Sequence, residues 1–90
     1  MPILHIPRQL RAYCGDRESI ELEGELISEL LRDLAVQFPE LGARVLGASG
    51  ALAPHLVVIH NDVVLRTGEI AGVRVSADDE LRIFTAASGG

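Results

Sequence analysis

Apolar and polar positions change period along the chain, and each change marks an element. From Pro2 to Pro7, Leu4 and Ile6 fall on one face and Ile3 and His5 on the other, which predicts an opening strand. After a loop through Cys14-Gly15-Asp16, Glu18 to Leu22 alternates, with Ile20 and Leu22 inward and Ser19 and Glu21 outward. Two short strands joined in this way predict a hairpin. The period then lengthens. Leu26, Ile27, Leu30, Leu31, Leu34, Ala35 and Phe38 recur at three- and four-residue spacing, opposite Glu25, Glu29, Arg32, Asp33 and Gln37. This predicts an amphipathic helix over about 25–38, stopped by Pro39. Its start is poorly capped, with Gly24 where a side-chain acceptor is preferred, and Glu29 stands four residues before the like-charged Asp33.

Beyond the helix, the stretch Gly42–Pro54 has no clear period. Leu56 to Asn61 is mostly apolar and rich in β-branched residues, as in an interior strand. Asn61-Asp62 is a turn signal before a short strand, Val63-Val64-Leu65. Gly68 and Gly72 punctuate a crossing, Asp78-Asp79 is a second turn, and Glu80 to Ala86 is the last strand. The expected architecture is α+β: a sheet of four or five strands with one main helix on one face. The other face is then open. If Leu81 and Ile83 pack under the helix, Arg82 and Phe84 lie on that open face.

Composition narrows the function. At 90 residues the chain predicts a single domain, and 48% hydrophobic content with a mean hydropathy of +0.27 supplies a core. Thirteen acidic residues against eight basic ones give a net charge of -5 and argue against nucleic-acid or anionic-membrane binding. Every basic residue is Arg, so Schiff-base and P-loop lysine chemistry are excluded. The lone Cys14 can form neither an internal disulfide nor a multi-cysteine metal site, and is expected as a free surface or half-buried thiol. His5, His55 and His60 read as ordinary strand residues. His55 and His60 are an odd number apart and would face opposite sides of one strand. Charged residues interrupt the first twenty positions, and no apolar run approaches the roughly 18 residues of a membrane span; a cytoplasmic protein is expected.

The chain ends Thr85-Ala86-Ala87-Ser88-Gly89-Gly90. Together with Leu10-Arg11, Leu26, Leu30-Leu31, Phe38-Pro39, Asn61, Asp79-Glu80-Leu81 and Phe84, this tail resembles the MoaD/ThiS family of ubiquitin-like sulfur carrier proteins. The resemblance implies a β-grasp fold over residues 1–90, with a flexible Gly-Gly tail from 85 to 90. It implies a protein that is not an enzyme but a cosubstrate. Gly90 would be adenylated by a ThiF/MoeB-like enzyme using ATP and converted to a thiocarboxylate, with Gly89 and Ser88 completing a thin tail. No bound cofactor, metal, nucleic acid or membrane is implied, and the isolated protein would be a monomer that meets a sulfur-acceptor synthase.

Two departures stand out. Asp78 occupies a turn position that is usually glycine, where an Asp would tolerate a left-handed backbone. Thr85 and Ala86 replace the prolines common before the terminal glycines. The Gly42–Pro54 stretch and Ile6-Pro7-Arg8-Gln9-Leu10-Arg11 look more like the cysteine-biosynthesis, CysO-like, type. The small subunit of molybdopterin synthase, a protein modifier joined to lysines through Gly90, and a plain interaction module remain the alternatives. On the open face, Phe84 with Val64 or Leu65 is expected to dock the activating enzyme, rimmed by Arg82 and Arg11.

Overall fold

A computed structural model describes residues 1–47 and 50–85. Its strands are β1 (Ile3–His5), β2 (Ser19–Glu21), β3 (Leu56–His60), β4 (Val63–Leu65) and β5 (Glu80–Thr85), and its helices are α1 (Ile27–Gln37) and α2 (Pro39–Val45). Short 3-10 segments cover Arg8–Cys14 and Thr67–Glu69. One mixed five-stranded sheet forms in the order β2-β1-β5-β3-β4. The central strand β5 runs parallel to β1, and the other pairs are antiparallel.

The predicted alternation sets the register. Leu4 stands beside Leu81 and Ile20, and Val58 beside Ile83 and Leu65, all on the helix side of the sheet. Ile27, Leu30, Leu31 and Leu34 of α1 close over them, each buried. The β3–β4 hairpin turns through Asn61 and Asp62, both in the left-handed region at φ 51° and 65°. Two positive-φ residues between paired strands make the turn whose twist matches that of the hairpin, and Asn and Asp adopt it readily.

Several expectations need correcting. The start of α1 is capped from inside the helix: Glu29 Oε1 accepts from the backbone N–H of Glu25 at 2.8 Å and of Leu26 at 3.2 Å. Gly24 permits that closure, because a Cβ there would lie 2.8 Å from Glu29 Cβ. The carboxylate of Asp33 also finds donors, the Glu23 N–H at 2.9 Å and the Gln37 amide at 2.8 Å, so the acidic pair on α1 is turned toward hydrogen-bond donors. Pro39 ends α1 but also opens α2 at its first turn, where the missing N–H has no helical partner to lose. The chain from 39 to 45 is therefore helical, and Gly42 lets the two helices cross closely: a Cβ there would stand 2.7 Å from Ala35 Cα.

The segment Arg8–Cys14, read as loop, is a 3-10 helix that buries Cys14 completely. The Cys14 Sγ lies 3.5 Å from the Arg11 carbonyl and 3.7 Å from that of Arg17, so the thiol is a core group and not a surface one. Asp78, finally, has no left-handed backbone; among the described non-glycine residues only Asp16, Asn61 and Asp62 do. The turn before β5 is held by the side chain of Asp79 instead, which accepts from the Ser76 N–H at 2.8 Å.

Candidate functional site

The face of the sheet turned away from the helices carries the outward residues of each strand. Cα register places Arg82 between His5 and Ile59, Phe84 beside Val57, and Val64 beside Ile59. Phe84 is 44% exposed and Val64 53%, two of the large apolar side chains that stand exposed among the described residues. Val57, by contrast, is covered although it belongs to this face, and Ile59 is half-buried. The exposed apolar surface of this strip of the sheet therefore comes from Val64 at the β4 edge and Phe84 on β5, with Ile59 half-buried on the strand between.

Leu65 does not belong to this strip. It pairs with Val58 on the helix side and is buried at 9% exposure, so Val64 alone of the two contributes to the open face. Neighbours along a strand point to opposite faces, which is why only one of them can. Val57 and Ile59 also belong to this face, although the sequence does not single them out. Their alternation with Val58 held the signal, but a run apolar at every position hides which residues face outward.

Beside Phe84, at the end of β5 from which residues 86–90 continue, a groove of about 280 Å³ is lined by His5, Pro7, Arg11, Glu18 and Arg82, among others. Arg11 is positioned by a hydrogen bond from its Nε–H to the Ile6 carbonyl at 3.0 Å. His5 Nε2 lies 2.6 Å from Glu80 Oε1. Phe84, Arg82 and Arg11 line this one groove, whereas Val64 shares the open face but stands on β4, separated from β5 by β3 and not on its neighbouring strand. Gly90, Gly89 and Ser88 lie outside the described residues.

The three histidines part company. His5 is on the open face, and His55 lies in the turn before β3 rather than within the strand. His60 is buried on the helix side, with Nε2 2.7 Å from Asp79 Oδ2. That hydrogen bond, with the Ser76 N–H behind it, holds the Asp79 carboxyl below its usual value of 3.8. A carboxylate whose pKa is lower folded than unfolded stabilises the fold above the unfolded value, and that stabilisation is lost as pH falls through the folded one. The wild-type chain is therefore expected to lose more stability than Asp79→Asn on acidification from about pH 6 to about pH 3, as read from urea midpoints. Parallel curves for the two proteins would show that the His60–Asp79 contact makes no contribution.

Among the described residues, no three His, Cys, Asp or Glu side chains converge as a metal site would require, and no helix is long and apolar enough to cross a membrane. The buried Cys14 has no base beside it in the contacts described, its sulfur meeting only backbone carbonyls.

Comparison with known proteins fits this geometry. The model of the ThiS family matches residues 4–90. The chain is similar to one in the crystal structure of the Amycolatopsis orientalis BexX/CysO complex, at 27% identity over the whole of both chains, with a TM-score of 0.83. Haloferax volcanii SAMP1 is 27% identical, over 99% of this chain and 98% of that one, with a TM-score of 0.74. Mycobacterium tuberculosis CysO, at 21% identity over 97% of this chain and all of its own, shares the fold with a TM-score of 0.83. Comparison with curated proteins gives no match.

Proposed function

Because the chain belongs to the ThiS family, we propose that it is a sulfur carrier whose Gly90 carboxylate is the reacting group. The observation that carries this reading is that the family match runs through Gly89-Gly90, while the central strand leading to them presents Phe84 beside the groove. A carboxylate is a poor acyl donor. A ThiF/MoeB-like partner would join it to the α-phosphate of ATP with release of pyrophosphate. A sulfur nucleophile would then displace AMP, leaving a thiocarboxylate whose sulfur passes to an acceptor held by a synthase. The chain's own contribution is access and positioning. Glycine at 89 and 90 removes the Cβ atoms that would keep the backbone from a partner's reacting atoms. Docking of the body makes insertion of the tail nearly intramolecular. The chemistry belongs to the partners, and this chain is their cosubstrate.

Likeness to the CysO chains supports the cysteine-biosynthesis type, and the whole-length likeness to SAMP1, a small archaeal modifier protein, supports conjugation to lysines through the same glycine as the second reading. Intact-mass measurement separates them. After incubation with ATP, the activating enzyme and a sulfide source, the carrier should gain the mass difference of one sulfur replacing one oxygen. A modifier gives isopeptide-linked adducts in its host. Neither product would leave a plain interaction module.

Phe84 is assigned to the docking surface for the activating enzyme, with Val64 on the same face across β3 and Arg82 and Arg11 at the rim. Phe84→Ala is expected to lower kcat/KM for adenylation by the equivalent of about 1–3 kcal/mol, as for an aromatic anchor. Its thermal midpoint should stay near that of the wild type, since the side chain is 44% exposed. Unchanged activation kinetics would remove Phe84 from the interface.

A further inference from the structure

Arg82 lies on the middle strand of the sheet, between His5 and Ile59 and on the same face as Phe84. The acid best placed to neutralise it is Glu80, two residues earlier on that face. Glu80 is instead engaged by His5 at 2.6 Å. Among the described residues, no carboxylate approaches the Arg82 guanidinium within 4.0 Å. Arg11 lines the same groove, with its Nε–H committed to the Ile6 carbonyl and no carboxylate within that distance either. Glu18, the remaining acid of the groove, is exposed and pairs with neither. Asp62, Asp78, Asp79 and Glu80 line a second depression with Arg82, but none is ion-paired to it, so among the described residues neither guanidinium near the exposed Phe84 has a contacting carboxylate.

In water such a charge costs nothing. Beneath a partner it loses its hydration, and an unpaired guanidinium under an apolar contact would oppose binding strongly. A surface that covers Phe84 must therefore also supply an acceptor for Arg82. We propose that the activating enzyme presents an acidic side chain beside the apolar socket that takes Phe84, and that Arg82, with Arg11 behind it, selects partners by that carboxylate. The planar guanidinium suits it, because its paired N–H groups match both carboxylate oxygens. This inference rests on the reading of the sheet face as the docking surface for that enzyme.

The test is calorimetric affinity of the full chain for its cognate activating enzyme at low and high salt, for the wild type, Arg82→Gln, Arg82→Glu and Phe84→Ala. Arg82→Gln should weaken binding about 30-fold at low salt, by the loss expected for one partner of a covered charge pair. It should also flatten the salt dependence. Arg82→Glu should weaken it further, and changing the facing acid of the enzyme to Lys should restore binding to that variant alone. If both Arg82 variants bind within about twofold of the wild type while Phe84→Ala binds weakly, the carboxylate is absent and the docking surface stands. If all three bind like the wild type, the sheet face is not the docking surface and both readings fall. Arg82 is exposed, so unchanged thermal midpoints are expected and serve as the folding control.

Discussion

Deleting Gly90 is expected to abolish ATP–pyrophosphate exchange by the activating enzyme while leaving measurable binding through the Phe84 face. The reacting carbon is then gone, and the carboxylate of Gly89 falls short by about 3.5 Å, the length of one extended residue. Adding one residue after Gly90 should be as damaging, because it displaces the carboxylate by the same distance from a site that tolerates far less. Gly89→Ala should be milder, since a methyl group narrows the passage and restricts the backbone without moving the reacting atom. The assay is exchange kinetics beside a binding titration. Exchange at the wild-type rate from either the shortened or the lengthened chain would remove Gly90 as the reacting group, and the interaction module would become the better account.

The largest expected loss of stability comes from the helix side of the sheet. Leu30 is 2% exposed among the residues that α1 lays over β1, β5 and β3. Leu30→Ala removes three buried carbons and leaves a cavity in a core formed by a single small domain, which should cost about 2–5 kcal/mol. For a domain of this size that is a substantial share of the total. Urea titration monitored by circular dichroism measures it, with the wild-type slope as the check that unfolding is still two-state. A loss below about 1 kcal/mol would mean that neighbouring side chains collapse into the space, and that α1 contributes less to the core than its buried stripe implies.

The strands, the main helix and the open face with Phe84 and Arg82 were legible because each depends on a local period. Leu4/Ile6, Ile20/Leu22 and Leu81/Ile83 alternate with polar or outward residues, and that alternation survives in the sheet. Less legible were elements whose signal lies in a single residue with two meanings. Pro39 reads as the end of one helix, yet Phe38, Leu41 and Val45 already carried the spacing of another. Gly24 reads as a poor cap until the reach of Glu29 is known, and no propensity scale contains that reach. The pairing of His60 with Asp79, and of His5 with Glu80, joins residues 19 and 75 positions apart and was set by strand register alone. For the same reason, Leu65 could not be separated from Val64 before the β3–β4 register was known.

The place of β5 between β1 and β3 has a kinetic consequence. The parallel β1–β5 pair joins segments at opposite ends of the chain, as Ile3 beside Glu80 illustrates. Such a contact closes late, because the chain between its strands must first give up its freedom. A polypeptide still emerging from the ribosome holds β1, β2 and both helices but lacks the strand that carries Arg82 and Phe84. Neither the apolar strip nor its cations can assemble before that strand arrives. Proteolytic clipping within β5 removes the same residues at the other end of the protein's life. A partner that recognises this face would therefore engage only chains translated and folded through Thr85, and would pass over unfinished or clipped copies.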